Sequence, residues 1–179
     1  EAGIAPPPET APPAHGSPRF RAIVRRQVQS LDWLRVPLRY YDLQAFRPDP
    51  PGVLAGLLRR EPARVVAASL EWPRIRAAID AGELPIVGLV RVSGWSPLRL
   101  ATNHQTLGYA YEESDGSVAV RVYDPNHPGR DDVVVSMTIA PPDGRPLRER
   151  VTLAQSTGEP LLGFFRQPYP RPGSLRAWR

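Results

Sequence analysis

The spacing of the apolar residues changes near residue 82, and this change constrains the fold more than any other feature of the chain. Before it, apolar side chains recur three or four residues apart, which is typical of helices that bury one face. After it, they alternate or form short runs bounded by turn residues, which is typical of strands. Helices followed by a strand meander predict an α+β domain, with helices packed on an antiparallel sheet of about five strands.

The spacing also predicts where the elements lie. Helices are expected over about 18–31, around 52–60, and from Ser69 or Glu71 to Gly82. Residues 34–50, with several prolines, are expected to form a loop packed by aromatic side chains. Strands are expected at 84–92, 104–111, 118–123 and 133–139, and at 162–165 with Tyr169. The first of these is mostly apolar, which indicates a central strand covered on both faces.

Composition limits the classes of site. The chain has no cysteine, so it forms no disulfide and offers no thiolate metal site, and its compartment is left open. It has no apolar run of about 18 residues, so no segment is expected to span a membrane. The net charge is +5, but all 23 basic residues are arginines, and they are scattered. With abundant Ala, Pro and Gly, this indicates a GC-rich genome. Nucleic-acid binding is disfavoured, because it usually needs clustered basic residues interleaved with stacking aromatics.

Of the three histidines, His104 has the most informative surroundings. It begins the second strand, and Asp124 ends the third, so the two residues lie at the meeting ends of a hairpin. If Glu113 pairs with Ser117 across a three-residue loop, Asp124 lies diagonally from His104 on the same face. Such positions have Cα atoms about 7–8 Å apart, within reach of long side chains. A two-residue loop would instead put Asp124 on the other face.

This pairing suggests a catalytic role for His104. An imidazole held by a carboxylate at one nitrogen can take a proton from a nucleophile at the other. His104 is therefore the candidate general base, and Asp124 is the candidate orienter. Asn126 is the rival orienter, since its amide oxygen can also accept the imidazole N–H. The further candidates for the orienter or the cleft are Asn103, Gln105 and Gln155.

Two motifs resemble those of a known family. The segment Asn103-His104-Gln105-Thr106-Leu107-Gly108-Tyr109 and the later Val120-Arg121-Val122-Tyr123-Asp124-Pro125-Asn126 resemble the His-strand and the Asp-strand of papain-fold cysteine peptidases. Within that fold the chain is similar to the bacteriocin-leader-peptidase branch, and to a bacterial family with an NHQ-x-L-x-Y-x-Y strand and a YDPN-x-P turn. Residues 155–165 resemble the closing strand of that family. The resemblance covers most of residues 17–169, so 17–170 is taken as a papain-like domain between a Pro-rich lead, 1–16, and a tail, 171–179.

The resemblance implies a cysteine peptidase or related acyl-transfer hydrolase with a peptide or protein substrate and no cofactor or metal. In that fold the nucleophilic cysteine opens a helix that precedes all the motifs found here. The nucleophile is therefore expected upstream of Glu1, in a missing N-terminal segment of the same parent protein, and an open groove is expected beside His104. The alternative is a catalytically inactive module that binds a peptide or a glycan. Ser17 and Ser69 are weaker substitutes, because Ser17 is explained as a helix cap and Ser69 has no motif around it.

The remaining polar and aromatic features have structural explanations. His15 lies in the Pro-rich lead and has no plausible partner. The turn that begins at His127 lacks the spaced oxygen ligands of a calcium loop, and it is expected to be solvated. Trp33, Trp72 and Trp95 are expected in the core or at its rim.

Overall fold

The structure, a computed structural model, describes residues 16–18, 21, 35–49, 56–58 and 60–168. The predicted Pro-rich lead and tail, Trp33, and most of the two helices expected before residue 61 therefore lie outside the described residues. At the start of the first of these helices, the N–H of Arg21 donates to the carbonyl of Ser17 at 3.0 Å. This is the hydrogen bond of a helical turn.

One antiparallel sheet with helices makes up the described part of the chain. The helices are α1 (Arg35–Ala45), α2 (Ala63–Val66), α3 (Trp72–Asp80) and α4 (Leu147–Arg150), with a π-helical turn at Ala67–Glu71 and a 3₁₀ helix at Pro97–Thr102. The strands are β1 (Ile86–Val90), β2 (His104–Ser114), β3 (Ser117–Tyr123), β4 (Val134–Ile139), β5 (Val151–Gln155) and β6 (Gly163–Gln167). Their order in the sheet is β5-β4-β3-β2-β1-β6. The predicted α+β class is confirmed. Among the described residues, no helix is long and apolar enough to cross a membrane.

The prediction of a loop over 34–50 is wrong, because residues 35–45 form α1. Pro37 lies in the first turn, where its missing N–H breaks no helical hydrogen bond. Val36, Tyr40 and Leu43 recur at helical spacing and are buried. The aromatic side chain of Tyr40 does pack as expected, but it does so from a helix.

Two other elements extend beyond their predicted limits. The helix expected from Ser69 or Glu71 begins at Ala63 and continues through α2, the π-helical turn and α3. Pro73 explains the π-helical turn, because proline removes a helical N–H and its ring crowds the carbonyl four residues earlier. The sheet has six strands rather than about five, and β5 is the addition.

Two apolar clusters lie on opposite faces of the sheet. On one face, Trp72 and Ile75 of the long helix pack over a cluster that includes Leu89 and Val122. On the other face, α1 packs against Val90 and Phe165. Strand β1 supplies both clusters because successive side chains point to opposite faces. The prediction that the first strand is covered on both faces is confirmed, but β1 lies next to the edge strand β6 rather than at the centre of the sheet.

Candidate active site

The hairpin of β2 and β3 brings two strand ends together by a route that differs from the prediction. Ser114 pairs with Ser117 across a two-residue turn, not a three-residue loop. The turn residues Asp115 and Gly116 both have positive φ, 40° and 78°, as a type I′ turn requires. Aspartate and glycine tolerate this conformation better than most residues. By itself, this turn would place Asp124 on the face opposite to His104.

A β-bulge at Tyr109 reverses that effect. The register shifts between Gly108 and Ala110, so that beyond the bulge Gly108 pairs with Val122. The hydroxyl of the extra residue, Tyr109, donates to the carbonyl of Asp131 at 2.9 Å. One inserted residue restores the original alternation of faces. The predicted loop length is therefore wrong, whereas the shared face that it was meant to explain is present.

The side chains of His104 and Asp124 meet at this end of the sheet. His104 Nε2 lies 2.6 Å from Asp124 Oδ1. The carboxylate is fully buried, and the imidazole keeps 13% of its surface exposed. The backbone N–H of Asn126 donates to the same Oδ1 at 2.8 Å. Asp124 is thus the group that contacts the imidazole, and the rival orienter Asn126 supports it through its main chain.

A buried amide holds the second oxygen of Asp124. Gln155 Nε2 donates to Asp124 Oδ2 at 3.1 Å, and Arg91 Nη2 donates to Gln155 Oε1 at 2.9 Å. Because a guanidinium only donates and a carboxylate only accepts, these two neighbours fix which end of the amide faces which partner. Gln155, predicted as a cleft residue, is only 5% exposed and supports the carboxylate instead.

A second histidine–carboxylate pair lies on the other side of Arg91. His127 Nε2 is 3.3 Å from Glu159 Oε1, and Arg91 Nη2 is 3.8 Å from the same oxygen. A hydrogen bond from the Thr157 hydroxyl, together with His127 and Arg91, lowers the pKa of Glu159 to about 2. The turn that begins at His127 is exposed over residues 129–132, as predicted, but the His127 side chain itself is half-buried and paired.

The two remaining cleft candidates have structural roles away from Asp124. Asn103 accepts the N–H of Arg91 at 3.0 Å and donates to Gln44 at 3.2 Å, which closes the loop between β1 and β2. Gln105 lies opposite Gly88, on the face covered by α1. On that face, the Tyr40 hydroxyl donates to the carbonyl of His104 at 2.6 Å. Burial raises the pKa of Tyr40, which keeps this hydroxyl protonated.

Comparison with known proteins adds no relative. The chain matches no protein-family model, no curated protein and no solved structure. The resemblance to papain-fold peptidases therefore rests on the motifs around His104 and Asp124.

The geometry suits proton transfer at one nitrogen of His104. Nε2 faces Asp124, so a neutral imidazole carries its hydrogen there and has a lone pair at Nδ1. Within the described part of the chain, Nδ1 makes no hydrogen bond. An imidazole in this state can accept a proton from a nucleophile placed beside Nδ1. The hydroxyl of Ser69, one of the substitute nucleophiles, donates to Val65 within its own helix.

Other kinds of site find less support near His104. No group of three or more His, Asp or Glu side chains among the described residues could hold a metal ion. A cavity of about 530 Å³ lies at the far end of β1, beside Pro85 and Leu107, and one of about 230 Å³ lies beside Glu71 and Phe165. Neither adjoins His104, so the predicted groove stays a prediction. Trp72 is in the core as expected, whereas Trp95, 52% exposed, packs edge-on against Phe46 and belongs to neither buried cluster.

Sequence reasoning missed Arg91 and Glu159. Arg91 follows Leu89 by two positions, so alternation points it toward the same buried face of an otherwise apolar strand. A charged residue at a buried position is rarely left without a partner, and this was the available signal. Glu159 left no such signal, because it lies in an irregular loop and meets His127 only through the tertiary fold.

Proposed function

We propose that this chain is the C-terminal portion of a papain-like cysteine peptidase or a related acyl-transfer hydrolase. His104 is the general base and acid, Asp124 is its orienter, and the nucleophile lies outside residues 1–179 of this chain. The observation that supports the proposal is the 2.6 Å contact between His104 Nε2 and a fully buried Asp124 carboxylate. It leaves the opposite imidazole nitrogen available for a nucleophile.

The chemistry divides into two proton transfers at His104. Nδ1 takes the proton of the thiol, the thiolate attacks the acyl carbon, and the protonated imidazole then gives that proton to the leaving group. In the second step Nδ1 takes a proton from water, the water oxygen attacks the acyl carbon, the C–S bond breaks, and the imidazolium returns that proton to the leaving sulfur as the acid product is released. Throughout, Asp124 keeps the ring in one orientation and stabilises the imidazolium.

The test uses the protein encoded by the parent gene. We expect a cysteine at the start of a helix upstream of Glu1, and turnover of an acyl thioester or of a fluorogenic peptide pool. His104→Ala should lower kcat about 10²–10⁴-fold, the range for loss of a general acid–base. Arg121→Gln, an exposed change on β3, is the matched control and should keep kcat. A parent sequence without an upstream Cys or Ser nucleophile would end this proposal.

The absence of cysteine from this chain favours a second candidate, a binding module on the same fold. Under it, a peptide or glycan lies beside His104 without being cut. Binding measured on peptide and glycan arrays should then survive His104→Ala. Loss of thiol-dependent turnover in the same variant would instead favour the hydrolase.

A further inference from the structure

The guanidinium of Arg91 lies between the two histidine–carboxylate pairs. Its Nη2 is 2.9 Å from Gln155 Oε1, 3.9 Å from Asp124 Oδ2 and 3.8 Å from Glu159 Oε1. Only 12% of the Arg91 side chain is exposed, and its Nε is buried without a hydrogen-bond partner among the described residues. An arginine is seldom held this way unless its charge is needed by the groups around it.

Contacts from two directions fix the plane of the Asp124 carboxylate. Oδ1 receives His104 Nε2 and the N–H of Asn126, and Oδ2 receives Gln155. Gln155 is the only described residue that hydrogen-bonds to Oδ2. Without that bond, the carboxylate is free to turn about its own axis, and the short contact to the imidazole is no longer the single favoured geometry.

We infer that Arg91 and Gln155 are positioning residues that act through Asp124 on the tautomer and orientation of His104. The inference rests on the proposed function for its catalytic meaning. Arg91 fixes the amide of Gln155 by donating to its oxygen, and Gln155 in turn fixes the carboxylate. The positive charge of Arg91 also offsets the burial of the Asp124 charge, which would otherwise be costly.

The first test uses the 179-residue chain alone. Imidazole ¹⁵N spectra at a pH where His104 is neutral report which ring nitrogen carries the hydrogen. We expect the Nε2–H form to predominate. In Arg91→Gln and in Gln155→Ala, its ratio to the Nδ1–H form should fall about tenfold, the order expected for loss of one charge-assisted hydrogen bond. Arg121→Gln, which removes an exposed charge, should leave the ratio unchanged.

The second test measures turnover in the parent protein. Arg91→Gln and Gln155→Ala should each lower kcat about 10- to 100-fold with KM unchanged, since misplacement by an ångström costs about that much. Arg91→Lys should recover part of the loss, because it restores the charge but not the guanidinium geometry.

The two tests separate the inference from the proposed function. If the tautomer ratio changes in the variants but the parent protein shows no turnover, the positioning role is supported and the proposed hydrolase function is refuted. An unchanged tautomer ratio in folded Gln155→Ala would overturn the positioning role whatever the activity. Thermal melting establishes that each variant is folded, and Gln155→Ala carries the test if Arg91→Gln does not fold.

Discussion

The donor and acceptor directions around Asp124 make a reciprocal exchange informative. In Asp124→Asn, an amide N–H₂ replaces one acceptor oxygen. If the new N–H₂ takes the place of Oδ2, it faces the N–H₂ of Gln155, and turning the Gln155 amide over only moves the clash to Arg91. If the new amide itself turns over, its N–H₂ faces the N–H of Asn126. In every arrangement one donor therefore faces another donor. When Gln155→Glu is added, both oxygens at position 155 are acceptors, one for the new amide at position 124 and one for Arg91. The double exchange therefore restores every donor–acceptor pair and keeps the net charge.

The burial of both residues sets the size of the effect. Asp124 has no exposed surface and Gln155 is 5% exposed, so water cannot satisfy an unpaired group there. Asp124→Asn should lower the free energy of unfolding by about 2 kcal/mol, within the range for one unsatisfied buried donor. Gln155→Glu should cost at least about 2 kcal/mol, because it sets two carboxylates together. The double exchange should cost about 1 kcal/mol, which corresponds to a favourable coupling of about 3 kcal/mol.

Urea unfolding at pH 7 measures these differences, provided that the m-values of the four proteins agree. The matched control is the exposed pair on the same hairpin, in which Arg121 Nη2 lies 2.7 Å from Glu112. Single and double changes there should be additive and below about 1 kcal/mol. If Asp124→Asn and Gln155→Glu are additive, or if the double variant is the least stable, the assigned contact directions are wrong.

Three further predictions concern stability. In Gly88→Ala the new methyl group would lie 2.7 Å from a phenylalanine ring of β6 and from the tyrosine hydroxyl of α1, so thermal melting should show a loss of about 1–3 kcal/mol. Gly108→Ala, with its nearest neighbours at 3.5 Å, is the control, and equal melting temperatures would refute the close approach. Glu71→Ala should cost about 1–3 kcal/mol in urea unfolding, because it removes the buried carboxylate that accepts from Arg39 and from the N–H of Arg166. Glu112→Ala at an exposed pair should cost under about 1 kcal/mol, and similar losses would contradict the distinction. For Glu159, a pKa of about 2 lies below the ordinary 4.5, so its stabilisation is present above pH 4.5 and is lost as the pH falls toward 2. Unfolding of wild type and Glu159→Gln should differ by up to about 1 kcal/mol at pH 6 and converge near pH 2, and a constant difference would exclude this cause.

The sequence predicts the sheet better than the helices. Strands β1 to β4 alternate or run apolar between clear turn residues, and those patterns are local. Helix α1 was missed because three prolines lie in 34–50 and because the polar residue Gln44 interrupts the apolar face of the helix. Its amide donates to the carbonyls of Gly94 and Ser96, 50 residues away or more, and only the tertiary fold provides those partners. Strand β5 was missed because its buried end residue, Gln155, is polar.

The candidate site was predictable as a pair but not as a network. Adjacent antiparallel strands make the meeting of His104 and Asp124 a consequence of the hairpin, and alternation selects the face. The supporting residues lie just after β1, in β5 and in the loop before β6, so their approach depends on strand order. The sequence around Arg91 or Glu159 does not indicate the order of the strands in the sheet.

The two-residue turn by itself would put His104 and Asp124 on opposite faces of the sheet, and the bulge by itself would do the same. Together the two effects cancel, and both side chains lie on one face. Adding one residue at Asp115-Gly116 while the bulge at Tyr109 remains would turn the imidazole and the carboxylate to different sides. Adding that residue while removing Tyr109 would keep them together. In related chains the two lengths should therefore covary. The length of the turn alone therefore predicts the wrong face of the sheet for a residue whenever an inserted residue lies farther along the strand.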